Sequence, residues 1–128
     1  MGAITAAGLV ADAKTRIQNL TPEGVRSELG QNGTTLIDIR EANEISESGA
    51  IPGAVHAPRG MLEFYADPTS PYYRAEFDPE GRIILACASG GRSALAVVTL
   101  QQMGYRNVAH LDGGLKAWKE QGFPVTEK

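Results

Sequence analysis

The apolar positions of this 128-residue chain fall into two kinds of run that alternate along its length. Short stretches without polar alternation, such as Ile83-Ile-Leu85, fit strands buried on both faces of a sheet. Between them the apolar residues widen to helical spacing, most clearly over 92–103, with Gly104 as a stop. This reading predicts strands at 16–20, 36–39, 55–57, 83–87 and 108–111. It predicts helices from Pro22 to about Leu29 and at 41–47, 92–103 and 115–121. Thr21 caps the first of these, and Pro22 occupies its first turn. The alternation implies an α/β fold, a central and mainly parallel five-stranded sheet with helices on both faces. Residues 1–15 read as an N-terminal helical extension and 16–128 as a single domain. Residues 67–74 form a turn-rich insert, which with Phe64 and Tyr65 is either a pocket wall or a surface loop over buried aromatics.

Composition narrows the class. The length suits one domain with a real core, and 42% hydrophobic with 21% charged residues is ordinary for a globular protein. A net charge of −3 offers no basic footprint for nucleic acid. Residues 1–11 are small and apolar without a basic start, and Asp12 and Lys14 interrupt them. An amphipathic opening helix is therefore expected, rather than a signal peptide or a membrane span. The single cysteine excludes an internal disulfide and fits a reducing, cytoplasmic setting.

That cysteine carries the chemistry. In Arg82-Ile-Ile-Leu-Ala-Cys87-Ala-Ser-Gly-Gly-Arg92-Ser93 an apolar strand delivers a thiol into a loop of small residues, and Arg92 and Ser93 open the next helix. Ala88, Ser89, Gly90 and Gly91 lie between Cys87 and Arg92. The adjacent glycines permit positive φ and close approach, so backbone N–H groups can converge on one point beside a helix N-terminus. Such a cradle favours the thiolate, and Cys87 reads as a nucleophile. A phosphate-binding loop would end in Gly-Lys-Ser/Thr, which is missing here. Asp38 and Arg40 stand at a strand end, where open α/β sheets border their ligand crevice. Arg92 is expected either to face an anionic substrate or to turn inward onto Asp38, and Asp38 is expected to be structural rather than catalytic. Arg40 is expected to pair with Glu44 at i, i+4, and Arg59 is a candidate cation at the pocket rim. His56 and His110 have no recognisable catalytic context, and His110 reads as a satisfied sheet residue. One cysteine and two histidines so dispersed offer no metal-ligand spacing. Trp118 is expected in the core, and Asp112-Gly113-Gly114 as a turn and helix cap.

Five segments together resemble the single-domain rhodanese family of sulfurtransferases. They are Leu36-Ile-Asp-Ile-Arg-Glu41, Gly49-Ala-Ile-Pro-Gly-Ala54, Ala57-Pro-Arg-Gly60, the Cys87 loop and Leu111-Asp-Gly-Gly-Leu-Lys-Ala-Trp118, within 21–124. One departure is Ala50, where the family often has His. The resemblance implies a rhodanese-like fold and a two-step transfer. Cys87 would take the outer sulfur of thiosulfate or a persulfide, hold it as a persulfide, and pass it to cyanide or a thiol. No cofactor is implied beyond that covalent intermediate. With no second cysteine to resolve it, the acceptor must come from outside. Two alternatives belong to other classes. One is a regulatory or sulfur-carrier module serving a dedicated protein acceptor. The other is a cysteine-dependent phosphatase or arsenate reductase, relatives that carry His-Cys and a loop one residue longer before Arg. The shorter loop here, with Ala86 before the thiol, disfavours that chemistry.

Overall fold

The computed structural model describes residues 4–126, so both ends of the expected domain division, 1–3 and 127–128, lie outside the described residues. Five parallel strands form one sheet in the order β1-β5-β4-β2-β3. They are β1 (Gln18–Leu20), β2 (Thr34–Asp38), β3 (Val55–His56), β4 (Arg82–Ala86) and β5 (Val108–Leu111). The helices are α1 (Ala6–Lys14), α2 (Pro22–Leu29), α3 (Ala42–Ser48), α4 (Leu62–Ala66), α5 (Gly91–Gln102) and α6 (Gly114–Glu120). A 3-10 turn, Arg59–Met61, precedes α4. No helix among the described residues is long and apolar enough to cross a membrane.

The expected strands and helices all appear, most with ends displaced by a residue or two. Strand side chains alternate between faces, and the unbroken apolar runs fill two separate cores. Ile37, Ile83 and Leu85 pack with Val97 and Leu100 of α5 and with Leu62 of α4. Leu36, Ile84 and Leu111 pack with Val25 of α2 and with Leu115 and Trp118 of α6. Trp118 takes the core position expected of it, and its indole N–H donates to the Pro124 carbonyl at 2.8 Å. Thr21 caps α2 by accepting the Gly24 N–H at 3.0 Å. The opening helix α1 lies against α5.

One open expectation is decided and one element is added. The insert lines no part of the cleft beside the cysteine loop: Phe64 and Tyr72 are exposed and meet edge to face at 6.3 Å, while Tyr65 packs near Phe77. The short helix α4 was not expected, because five residues carry too little periodicity to be seen. Asp112-Gly113-Gly114 is the turn and helix cap expected before α6. Gly113 occupies the cap with φ of 80°, and Asp112 pairs with Lys14 at 2.6 Å.

β4 is central in the sheet, between β2 and β5. Because every strand is parallel, their carboxyl ends open on one side of the molecule. Cys87 follows β4 there, Asp38 ends β2 and Asp112 follows β5. The thiol therefore emerges at the middle of the edge where such folds bind ligands.

Candidate functional site

The loop after β4 closes around its own sulfur. Gly90 N–H donates to Cys87 Sγ at 3.2 Å and Ser93 N–H at 3.3 Å. Gly90 makes this possible with φ of 99°, a left-handed conformation that glycine adopts without strain. The convergence of loop N–H groups expected from Gly90-Gly91 is thus present. Of these two only Gly90 has positive φ, however; Gly91 is the first residue of α5. Ser93 Oγ lies 3.5 Å from the sulfur. Cys87 is 1% exposed.

The loop carbonyls turn the other way, toward α6. Leu115 N–H donates to the Cys87 carbonyl at 2.9 Å and Lys116 N–H to that of Ala88 at 3.0 Å. The N-terminus of α6 thus satisfies the outward face of the loop and leaves its N–H groups to the sulfur. Close contact enforces this: a Cβ on Gly114 would sit 2.6 Å from the Ala88 carbonyl, and one on Gly90 would sit 3.0 Å from Gly113 N. The supporting role of Gly113-Gly114 was not expected; only their place in a turn was.

The arginines exchange the partners expected of them. Arg92 turns neither to a substrate position nor inward to Asp38. It makes two 2.8 Å bonds to the Glu44 carboxylate. Those bonds, with the Glu41 N–H that also meets Glu44, hold the Glu44 carboxyl down at about 2. The Arg92 guanidinium is correspondingly raised. Arg40 does not pair with Glu44, because it precedes the cap residue Glu41 and is not on the helix. Its guanidinium folds inward to Asp38 at 2.7–3.1 Å and to Ser48 Oγ and the Gly49 carbonyl. This pair is nearly sealed, with side-chain exposures of 2% and 6%. It ties the end of β2 to the end of α3. Arg59 is bound to Glu63 at 3.0 Å and approaches Thr99, away from the cleft it was expected to rim.

A cleft of about 440 Å³ opens beside the loop at Ala88. Arg40, Glu44, Glu47, Ser48, Leu115, Lys116 and Lys119 complete its lining, so α3 and α6 form its walls. Besides Arg40, the basic residues lining it are Lys116 and Lys119, whose signal in the sequence was only two lysines three apart on a helix. Among the described residues no group of three or more His, Cys, Asp or Glu side chains is gathered to hold a metal ion. His56 Nε2 bonds the Arg40 carbonyl at 2.7 Å. His110 is buried in β5, where its ring meets Ser93 and Asn19.

Known proteins share this architecture. The Rhodanese-like domain family matches residues 21–121. A sulfurtransferase from Allochromatium vinosum is 34% identical over 70% of this chain and 76% of its own length. The chloroplastic thiosulfate sulfurtransferase 16 of Arabidopsis thaliana is 30% identical over 88% of this chain and 96% of its own. Among solved structures, a Rhodopseudomonas palustris protein of unknown function, described as a possible tyrosine phosphatase, aligns with a TM-score of 0.92 at 37% identity. The alignment covers 98% of this chain and 97% of that one. The polysulfide-sulfur transferase homodimer of Wolinella succinogenes aligns at 0.75 and 30% identity over 93% and 85% of the two chains.

Proposed function

The chain belongs to the rhodanese-like domain family, and from that premise we propose that it transfers sulfane sulfur through a persulfide on Cys87. The observation that carries this reading is the pair of backbone N–H groups aimed at Cys87 Sγ at 3.2 and 3.3 Å. Donors fixed in the fold stabilise a sulfur anion without reorganising as the charge develops.

In the first half-reaction the Cys87 sulfur attacks the outer sulfur of thiosulfate or of another persulfide. A new S–S bond forms to Cys87. The old bond of the donor breaks, and sulfite or a thiolate leaves with the electron pair. In the second half, cyanide or a thiol attacks the outer sulfur and Cys87 leaves as the thiolate. The steps balance without a metal or a redox cofactor. The acceptor is external, because Cys87 is the sole cysteine. Lys116 and Lys119 bring positive charge to a cleft that Glu44 and Glu47 also line, so a donor or a protein acceptor meets charges of both signs there.

A phosphatase reading is less well served by this geometry. It would want the loop arginine free to grip a phosphoryl group, whereas Arg92 is held by both oxygens of Glu44. A thiol exposed to 1% also favours a slender terminal sulfur over a phosphate ester.

The test is to mix the protein with thiosulfate alone and measure intact mass. A gain of one sulfur atom is expected on Cys87, removable by cyanide and abolished in Cys87→Ser with the fold intact. Turnover that persists in Cys87→Ser would overturn the assignment. Hydrolysis of phosphoryl esters without sulfur loading would replace it with the phosphatase reading.

A further inference from the structure

One buried titratable group has no part in the transfer as just described. His110 is 0% exposed and sits beside β4, where it pairs in register with Leu85. Both of its ring nitrogens have fixed partners. Nδ1 lies 2.8 Å from Ser93 Oγ, and Nε2 lies 2.8 Å from Asn19 Oδ1. The Asn19 amide nitrogen donates to the Lys14 carbonyl at 3.0 Å, so its oxygen faces the ring as an acceptor. Nε2 therefore carries the hydrogen of the neutral ring, and Nδ1 accepts from the Ser93 hydroxyl. Ser93 Oγ is in turn 3.5 Å from Cys87 Sγ. Asn19 of β1, His110 of β5, Ser93 of α5 and Cys87 after β4 thus form one line from an exposed amide to the sulfur.

We propose that Ser93 and His110 are a proton relay for Cys87. The inference rests on the sulfur-transfer reading above and supplies the step that reading leaves open, the fate of the thiol proton. Before the sulfur attacks its donor, the S–H bond breaks and its proton passes to Ser93 Oγ. The proton already on Ser93 passes to His110 Nδ1. The products are a sulfur anion and an imidazolium, and nothing is oxidised or reduced.

After the shift every hydrogen still has an acceptor. Nδ1–H donates to Ser93, the Ser93 hydroxyl donates to the sulfur, and Nε2–H still donates to Asn19. The anion gains a third donor beside the Gly90 and Ser93 N–H groups. Burial holds His110 at about 4, so the resting ring is neutral with Nδ1 unprotonated, and at neutral pH it holds a proton only while the sulfur anion stands beside it. The adjacent anion offsets part of the cost of charging it. The charged groups that act on the ring are Asp112, which favours its protonation, and Lys14, which opposes it; the two are paired to each other. Arg92, next to Ser93, is occupied by Glu44.

The test is the pH dependence of Cys87 alkylation by iodoacetamide, which reads deprotonation of the sulfur without any sulfur donor. His110→Asn keeps an oxygen that can accept from Ser93 but cannot take a proton. It is expected to slow alkylation at neutral pH by roughly tenfold and to move the profile to higher pH. Asn19→Asp puts a carboxylate on Nε2, makes the ring more basic, and is expected to move the profile to lower pH. An unchanged profile in folded His110→Asn overturns the relay. If His110→Asn does not fold, Asn19→Asp decides: a profile that stays in place or moves to higher pH overturns the proposal. Profiles that move as expected in a protein that never loads sulfur sustain the relay and remove the transfer reading. Normal loading with unmoved profiles does the reverse.

Discussion

The arginines show how far the position of a residue, rather than its type, decides its partner. Arg40 and Glu44 are four apart, but Arg40 precedes the cap of α3, so helical spacing does not apply to the pair. At the end of β2 Arg40 lies two residues from Asp38, on the same side of the strand, and the buried pair forms there instead. Glu44 is then left for Arg92, a bond 48 residues apart in sequence that no local rule announces. That bond joins α3 to the first turn of α5, just past the thiol loop. Its energetic weight is small, because the Arg92 side chain is 41% exposed and solvent screens the attraction. Arg92→Ala and Glu44→Gln should each lower stability in urea by no more than about 1 kcal/mol. If the pair only braces the loop, both variants should also leave the donor KM near that of the parent. A large rise in KM for Arg92→Ala alone would instead put the guanidinium on the donor.

At the scale of elements, the site is two glycine turns that interlock. The loop after β4 supplies the N–H groups, and the turn before α6 takes its carbonyls. A Cβ at Gly114 meets the backbone of Cys87 and Ala88 at 2.6 Å, and its φ of 62° already disfavours a side chain. Neither neighbour is a flexible side-chain tip that could move aside. Gly114→Ala should therefore cost about 1–3 kcal/mol and depress sulfur loading well beyond what the stability loss explains. Equal loading by the folded variant would show that the turn does not shape the loop. This support was only half legible in the sequence. Cys87, Gly90 and the start of α5 stand together in one short segment, so strand, loop and cradle could be read directly. Gly113-Gly114 lies more than twenty residues further on, and its contact with the loop exists only because β5 lies beside β4. The same neighbour relation hid the link from His110 to Ser93. A histidine within an apolar strand reads as a satisfied core residue, and that is true of it here; the partner that satisfies it is what touches the thiol. Arg59, by contrast, is a candidate rim cation in the sequence, but Glu63 one helical turn later pairs with it.

Across the whole molecule, that same histidine ties stability to pH. Its pKa falls from an ordinary 6.5 to about 4 because the ring is buried. Between those two values the unfolded chain binds a proton at His110 that the folded chain refuses. Stability must therefore rise with pH across that window and fall as the solution is acidified from about 6.5 toward 4. A single group shifted this far contributes on the order of 3 kcal/mol when the window is crossed completely. Glu44 acts in a lower window. Its carboxyl is held at about 2 by Arg92, so what it contributes is present above 4.5 and is lost only as pH falls from there toward 2. The two losses are thus ordered, the histidine first and the carboxylate second. Urea titrations at a series of pH values should show the decline beginning well above the carboxylate range. His110→Asn should erase that upper limb and leave the lower one in place. If the parent protein holds its stability flat down to pH 4.5, His110 is not held neutral by its burial in β5.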